Sequence, residues 1–206
     1  NKEDIDEIED ILSRKKEQIY QEMRKLKVRL LSIDDSIQKI ERYRNSPVTG
    51  ICSLEYISQR YCYGIPCSYD FYKDGISEYE KDLLLLRNHL IEKNLDQIYS
   101  YNVGTSKADF RKGKLQSKDI FIFSEHKVEG LEMKKIPASM FVTVYASSFE
   151  EEIKDIARLR EYLMKSGYEI SGDYLCEVLT ELNVFKMDKR AMFLRLQVPV
   201  KFRHGA

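Results

Sequence analysis

The chain has 206 residues, 43% of them hydrophobic, which is enough apolar material for a substantial core in one or two domains. Lys and Arg balance Asp and Glu at 34 each, so there is no overall positive charge of the kind that nucleic-acid binding requires. The four cysteines form no CxxC pair, which favours reduced thiols in a cytoplasm over a zinc site or disulfide framework. No apolar run reaches the length of a membrane span, so no membrane partner is expected.

A long helix is predicted from Asp4 to Arg44, because this segment contains neither Gly nor Pro and is rich in Glu, Lys, Arg, Ile and Leu. Two apolar rows follow the four-three spacing of a coiled coil, although Glu9 and Lys16 interrupt the second near its start. The rows are Ile5, Leu12, Ile19, Leu26, Ile33 and Ile40, and Met23, Leu30 and Ile37. We predict a homodimer formed through residues 1–46. The alternative is a helix that lies across its own globular domain.

Two copies of one supersecondary unit are predicted after a linker at Pro47 to Gly50. In the first copy a strand, a helix and two strands are expected at 52–62, 76–94, 98–105 and 119–124. In the second, the same order is expected at 132–146, 149–165, 173–182 and 192–200. The repeats, about 51–125 and 131–202, predict an α+β fold with a mainly antiparallel sheet and helices on one side. Their junction predicts a ligand cleft.

A family pattern can be recognised between Lys134 and Val200. It consists of Ile136, Pro137, Ala138, Val144, Tyr145, Ser148, Phe149, Glu150, Gly167, Tyr168, Gly172, Glu177, Gln197, Val198, Pro199 and Val200. The pattern resembles the gyrase-inhibitor-like effector-binding domain, which we assign to residues 47–206. A long helix directly before that domain resembles the multidrug-sensing branch of the MerR transcription activators, in which the helix pairs antiparallel between two subunits.

This resemblance implies the effector-binding and dimerisation region of a bacterial MerR-type regulator. Its expected partner is a hydrophobic or cationic aromatic small molecule such as a drug, and no cofactor is expected. Promoter DNA would be bound only through an N-terminal helix-turn-helix domain that is absent from this chain. The start at Asn1 rather than Met suggests that such a region was removed. The expected location is the cytoplasm.

Glu177 is the first candidate for binding a ligand, because it interrupts the apolar segment Tyr174–Leu179. A carboxylate in such a strand is costly unless it is exposed or paired. Its alternation partners Asp173 and Glu181 are also acidic, so a solvent-facing strand is the alternative. The resemblance favours the pocket, since a glutamate at the matching position of drug-sensing relatives pairs with cationic ligands. We therefore predict Glu177, with Glu181 in reserve, and expect the acid to be protonated without an ammonium partner.

Aromatic residues are abundant, with 14 Tyr and nine Phe, and most must belong to the core or the surface. A subset facing the cleft would stack on flat or cationic ligands. The predicted ligand-binding aromatic residues are Tyr63, Tyr101, Phe141, Tyr145 and Phe193.

No catalytic or metal site is predicted. His89, His126 and His204 lie in no nucleophile motif, and the segment 104–107 lacks the spacing of a phosphate-binding loop. Two other functions stay open. A hydrolase could use Glu177 as a general base, and a protein-interaction module could use the aromatic residues as a docking patch.

Overall fold

The computed structural model describes residues 2–93, 95, 101–182 and 191–202. The predicted N-terminal helix is present as α1, Lys2–Arg44. All nine residues of its two apolar rows are exposed, each by at least 45%. The opposite side of the helix packs on the globular domain, where Val28 joins the core and Lys39 is buried. One side of α1 therefore packs on the globular domain, and its apolar stripe is exposed.

Four further helices and nine strands follow among the described residues. The helices are α2 (Phe71–Asp74), α3 (Ile76–Glu92), α4 (Lys107–Arg111) and α5 (Phe149–Lys165). The strands are β1 (Ser53–Ile57), β2 (Arg60–Pro66), β3 (Asn102–Thr105), β4 (Asp119–Ser124), β5 (Lys134–Ile136), β6 (Ser139–Ala146), β7 (Tyr168–Ile170), β8 (Tyr174–Leu182) and β9 (Ala191–Phe202). The predicted α+β class is confirmed.

Most differences from the predicted elements have local causes. The strand expected over 132–146 is divided into β5 and β6 near Pro137, which has no N–H to donate to a ladder. The loop expected around Gly113 contains α4, whose first turn is capped because Ser106 Oγ accepts a hydrogen bond from the Asp109 amide at 3.2 Å. Part of the strand expected over 98–105 lies outside the described residues.

All nine strands form one antiparallel sheet in the order β1-β6-β9-β8-β3-β4-β2-β5, with β7 paired to β9. The central strands β3 and β8 belong to different repeats, and outward from them the order is the same, β4 then β2 on one side and β9 then β6 on the other. The first strand of each repeat is exchanged, because β1 pairs with β6 and β5 pairs with β2. The arrangement is that of a duplicated unit.

Helices α3 and α5 cover one face of this sheet. Leu159 of α5 is buried with Val144 and Leu196, and Leu86 of α3 is buried with Ile120. Side chains alternate along a strand, so the residues between these core positions point away from both helices. We call that side the open face. The last turns of α1 lie against it.

Candidate functional site

A groove on the open face lies at the junction of the two repeats. Its cavity is about 600 Å³, within the range of small-molecule sites. Phe121, Phe141, Leu175 and Pro199 form apolar walls contributed by both repeats. The rim carries charged residues of both signs, Lys118, Asp119, Glu132, Lys134, Lys135 and Asp173. The groove therefore offers an apolar interior with a balanced rim.

Beside the groove, Glu177 is buried in a network of guanidinium groups. Arg195 donates to Glu177 Oε2 from Nε at 3.2 Å and from Nη2 at 2.6 Å. Arg60 Nη1 donates to the same oxygen at 3.0 Å, and Gln197 Nε2 does so at 2.9 Å. The other oxygen accepts from Arg42 Nη1 of α1 at 3.2 Å. The chain itself thus supplies the cations that pair with this carboxylate.

The charges in this network keep Glu177 ionised. Burial alone would raise the pKa of Glu177, but Arg195, Arg60, Arg42 and Lys39 together lower that pKa well below its usual value. The expectation that the acid would be protonated without an ammonium ligand is therefore corrected. It assumed an unpaired carboxylate, whereas three guanidinium groups already contact this one.

A second group of predicted residues joins the open face to α1. The rings of Tyr145 and Phe193 stack with centroids 5.6 Å apart, and Tyr43 of α1 meets Phe193 edge-on at 4.7 Å. The Tyr145 hydroxyl donates to Glu55 Oε2 at 3.2 Å. Burial and the nearby Glu55 charge raise the pKa of Tyr145 to about 12, so this hydroxyl remains a donor at neutral pH.

The structure brings together four of the six predicted ligand residues on the open face: Glu177, Phe141, Tyr145 and Phe193. Tyr63 lies at the edge of the groove, but its ring packs against the helical layer with its centroid 5.9 Å from that of His89. Tyr101 lines a different cavity of about 560 Å³, between α1 and the sheet. The side chain of the reserve residue Glu181 lies outside what is described.

Sequence reasoning missed the basic residues of the site. Arg195 and Gln197 alternate with apolar residues along β9, which is the same signal that singled out Glu177 in β8. That signal was available and would have found both. Arg60 and Arg42 stand in polar surroundings in the sequence, at the start of a strand and the end of a helix, and no comparable pattern marks them.

The described ranges hold neither a metal-binding cluster nor a helix that could span a membrane. No group of three or more His, Cys, Asp or Glu side chains is arranged there to hold a metal ion. None of the helices described has the length and apolar content needed to span a membrane.

No family model and no curated protein matches this chain. Among solved structures, the EcmrR C-terminal domain aligns with 74% of this chain and 98% of its own length, at TM-score 0.53 and 17% identity. EcmrR in a complex with DNA aligns with 94% of this chain and 72% of its own, at TM-score 0.54 and 17% identity. A hydrolase from Listeria innocua aligns with 80% of this chain and 98% of its own length. Its TM-score of 0.49 at 11% identity is too low to support a conclusion about this chain. The expected gyrase-inhibitor-like fold is confirmed: this chain has the fold of the EcmrR C-terminal domain, preceded by a long helix.

Proposed function

We propose that this chain is the effector-binding and dimerisation region of a bacterial MerR-type transcription regulator. Residues 1–46 would pair two subunits, and residues 47–206 would bind a small hydrophobic effector. Promoter DNA would be bound by a separate N-terminal helix-turn-helix domain. The protein would act in the cytoplasm. The solved EcmrR complex with DNA supports this assignment by similarity of fold. Since one fold can host different functions, the groove and its contacts with α1 provide the other support.

The observation that carries the proposal is that α1 contacts the same face of the sheet that holds the groove. The apolar groove lies beside Glu177, and α1 reaches the same face through Arg42 and Tyr43. A molecule that binds here more tightly in one pose of α1 than in another would shift the helix toward that pose. The apolar stripe on the other side of α1 would pass the change to a second subunit.

The groove should bind a neutral apolar dye. N-phenyl-1-naphthylamine has no charge and fluoresces more strongly in apolar surroundings, so a saturable rise in fluorescence is expected with the intact chain. Leu175→Glu places a charge on the apolar wall and should weaken binding at least about tenfold, because the charge would be desolvated beside the dye. Leu84→Glu is the matched control, since Leu84 is 57% exposed on α3. Equal binding by both variants would place the dye elsewhere and remove this support.

The exposed stripe should mediate self-association. Sedimentation equilibrium is expected to give a dimer at micromolar concentration, and Leu30→Lys should give a monomer because each subunit would place an unpaired ammonium group in the apolar seam. Ile153→Lys is the control, since Ile153 is equally apolar and 50% exposed but lies on α5. A monomeric wild-type chain, or an unchanged mass for Leu30→Lys, would end the dimer proposal.

A hydrolase is the less favoured alternative. A general base works best when its pKa lies near the working pH. Burial would raise the pKa of Glu177, but the arginines outweigh burial and hold this pKa well below its usual value. The two oxygens of Glu177 also already accept several hydrogen bonds. This arrangement suits a structural or ligand-orienting carboxylate better than a proton acceptor.

A further inference from the structure

The cluster around Glu177 carries more positive than negative charge. Arg60, Arg195 and Arg42 contact this carboxylate, and the second nearby carboxylate, Glu55, lies 3.6 Å from Arg195 Nη1. Lys39, whose charge also acts on Glu177, is paired with Asp35 at 2.8 Å, so these two residues add no net charge to the cluster. Three guanidinium groups thus face two carboxylates, and the difference of one positive charge is mostly buried. An unbalanced buried charge is unfavourable unless another group compensates it.

One of the three guanidinium nitrogens of Arg60 has no hydrogen-bond acceptor among the described residues. Its side chain is almost fully buried, Nη1 donates to Glu177, and Nη2 donates to Gln197 Oε1 at 2.5 Å. Within the part of the chain that the structure describes, no acceptor reaches its buried Nε. A guanidinium N–H left without an acceptor in the interior is costly, and an anionic oxygen would satisfy it.

This basic cluster borders the groove. The Arg60 guanidinium carbon lies 3.9 Å from the ring centre of Phe123 and 5.8 Å from that of Phe141, and Phe141 lines the groove. Arg42 closes the cluster from the α1 side, and its side chain is 32% exposed. The three arginines do not themselves line the groove, and Phe141 is the residue through which the groove meets the cluster. A ligand with its apolar part against Phe141 would have to extend its polar end past that ring toward Arg60 and the partly exposed Arg42.

We propose that the effector is a lipophilic monoanion of the carboxylate class, whose charged group binds to Arg60, Arg195 and Arg42. This inference rests on the proposed effector-binding function and names the ligand that the site would take. It departs from the cationic effector that the family resemblance implies. A cation would have to displace guanidinium groups from Glu177 and would add to the excess positive charge, whereas an anion offsets that excess.

Three ligands of the same shape test the sign of the charge. Biphenyl-4-carboxylate, biphenyl-4-carboxamide and biphenyl-4-carboxamidine carry negative, zero and positive charge on one scaffold. Calorimetric titration of the intact chain at low salt is expected to show the carboxylate binding at least about tenfold tighter than the carboxamide, with the amidine weakest. Tighter binding of the carboxamide or the amidine would overturn the proposal.

Arg42→Gln separates charge from packing, since this partly exposed arginine can be changed without leaving a cavity in the core. The variant should bind the carboxylate about tenfold more weakly and the carboxamide within about twofold of wild type. Arg111→Gln removes a surface arginine that pairs with Glu169 at 3.4 Å, and should change neither affinity. Equal loss of both ligands in Arg42→Gln would overturn the proposal.

The proposed function can fail separately from this inference. If all three biphenyls bind equally, the groove still binds apolar molecules, and only the anion preference is wrong. If none of them binds and the neutral naphthylamine dye does not bind either, both the effector site and its charge preference are wrong.

Discussion

Glu177→Gln is expected to lower the free energy of unfolding by about 3 to 5 kcal/mol, the loss seen when one partner of a buried ion pair is removed. The substitution keeps the size of the side chain but leaves Arg60 and Arg195, both buried, without their shared counter-charge. Urea denaturation followed by circular dichroism at neutral pH measures the change.

The stability difference between wild type and Glu177→Gln should also depend on pH. A carboxyl with a lowered folded pKa stabilises the fold above its unfolded pKa and loses that effect as pH falls through the folded value, so wild type and variant should converge in acid.

Two further variants test whether the loss comes from the charge network. Adding Arg42→Gln to Glu177→Gln should recover part of the stability, because one of the cations left unpaired is removed. Glu169→Gln removes a carboxylate of the surface pair with Lys201 and should cost no more than about 0.5 kcal/mol. A Glu177→Gln variant as stable as Glu169→Gln would show that the arginines do not depend on this carboxylate.

Glu152→Ala is expected to cost about 2 to 6 kcal/mol, because two hydroxyls lose their acceptor at about 1 to 3 kcal/mol each. The hydroxyls of Tyr72 and Tyr174 donate to Glu152 Oε1 at 2.5 and 2.9 Å, between α5 and the sheet. Glu152 is buried in that layer, so the two hydroxyls have no direct access to bulk water. Glu152→Gln retains an acceptor oxygen in the same place and should cost much less. Similar losses for the two variants would show that the hydroxyls are not the cause.

The stability difference between wild type and Glu152→Gln should depend on pH, because Glu152 titrates and Gln does not. Burial raises the pKa of Glu152, against hydrogen bonds from Tyr72, Tyr174 and Cys176 that lower it. A raised folded pKa stabilises the fold fully below the unfolded value, about 4.3, and that contribution is lost as pH rises through the folded value. Wild type should therefore lose stability relative to Glu152→Gln as pH rises above the unfolded value. A difference that stays constant as pH rises would contradict the assignment.

The long helix and its apolar stripe could be predicted because their signal is local. Residues three and four positions apart lie on one side of a helix whatever the rest of the chain does, so the spacing that includes Leu26, Leu30 and Ile33 predicts a stripe directly. Glu177 was singled out because a charge within an apolar strand needs a partner or solvent, and the family resemblance favoured the pocket over a solvent-facing strand. The partners themselves could not be named. Arg60 and Arg42 lie 117 and 135 positions away along the chain, and only the strand order and the path of α1 bring them to Glu177.

Tyr63 shows a different limit of prediction from sequence. Which face a strand residue points to depends on its register, and a shift of one position moves every side chain to the other face. In β2, Tyr61, Tyr63 and Ile65 alternate with Cys62 and Gly64, so nothing in the composition of either set identifies the side that meets the helices. The structure places Ile65 and Tyr63 toward the core under α3. Tyr63 could be assigned to the open face only by assuming a register that the sequence does not specify.

The exchange of β1 and β5 between the repeats has a consequence for how the fold forms and for how it could be divided. Neither repeat contains all the strands of its own half of the sheet, because β1 lies against β6 and β5 lies against β2. The two halves must therefore fold as one cooperative unit, through pairings between distant segments that slow the search for the native state. A single repeat released from the chain would expose the unpaired edge of β2 and hold β1 without a partner. Two such fragments could satisfy each other by the same exchange, which makes this chain a covalently joined form of a strand-swapped pair.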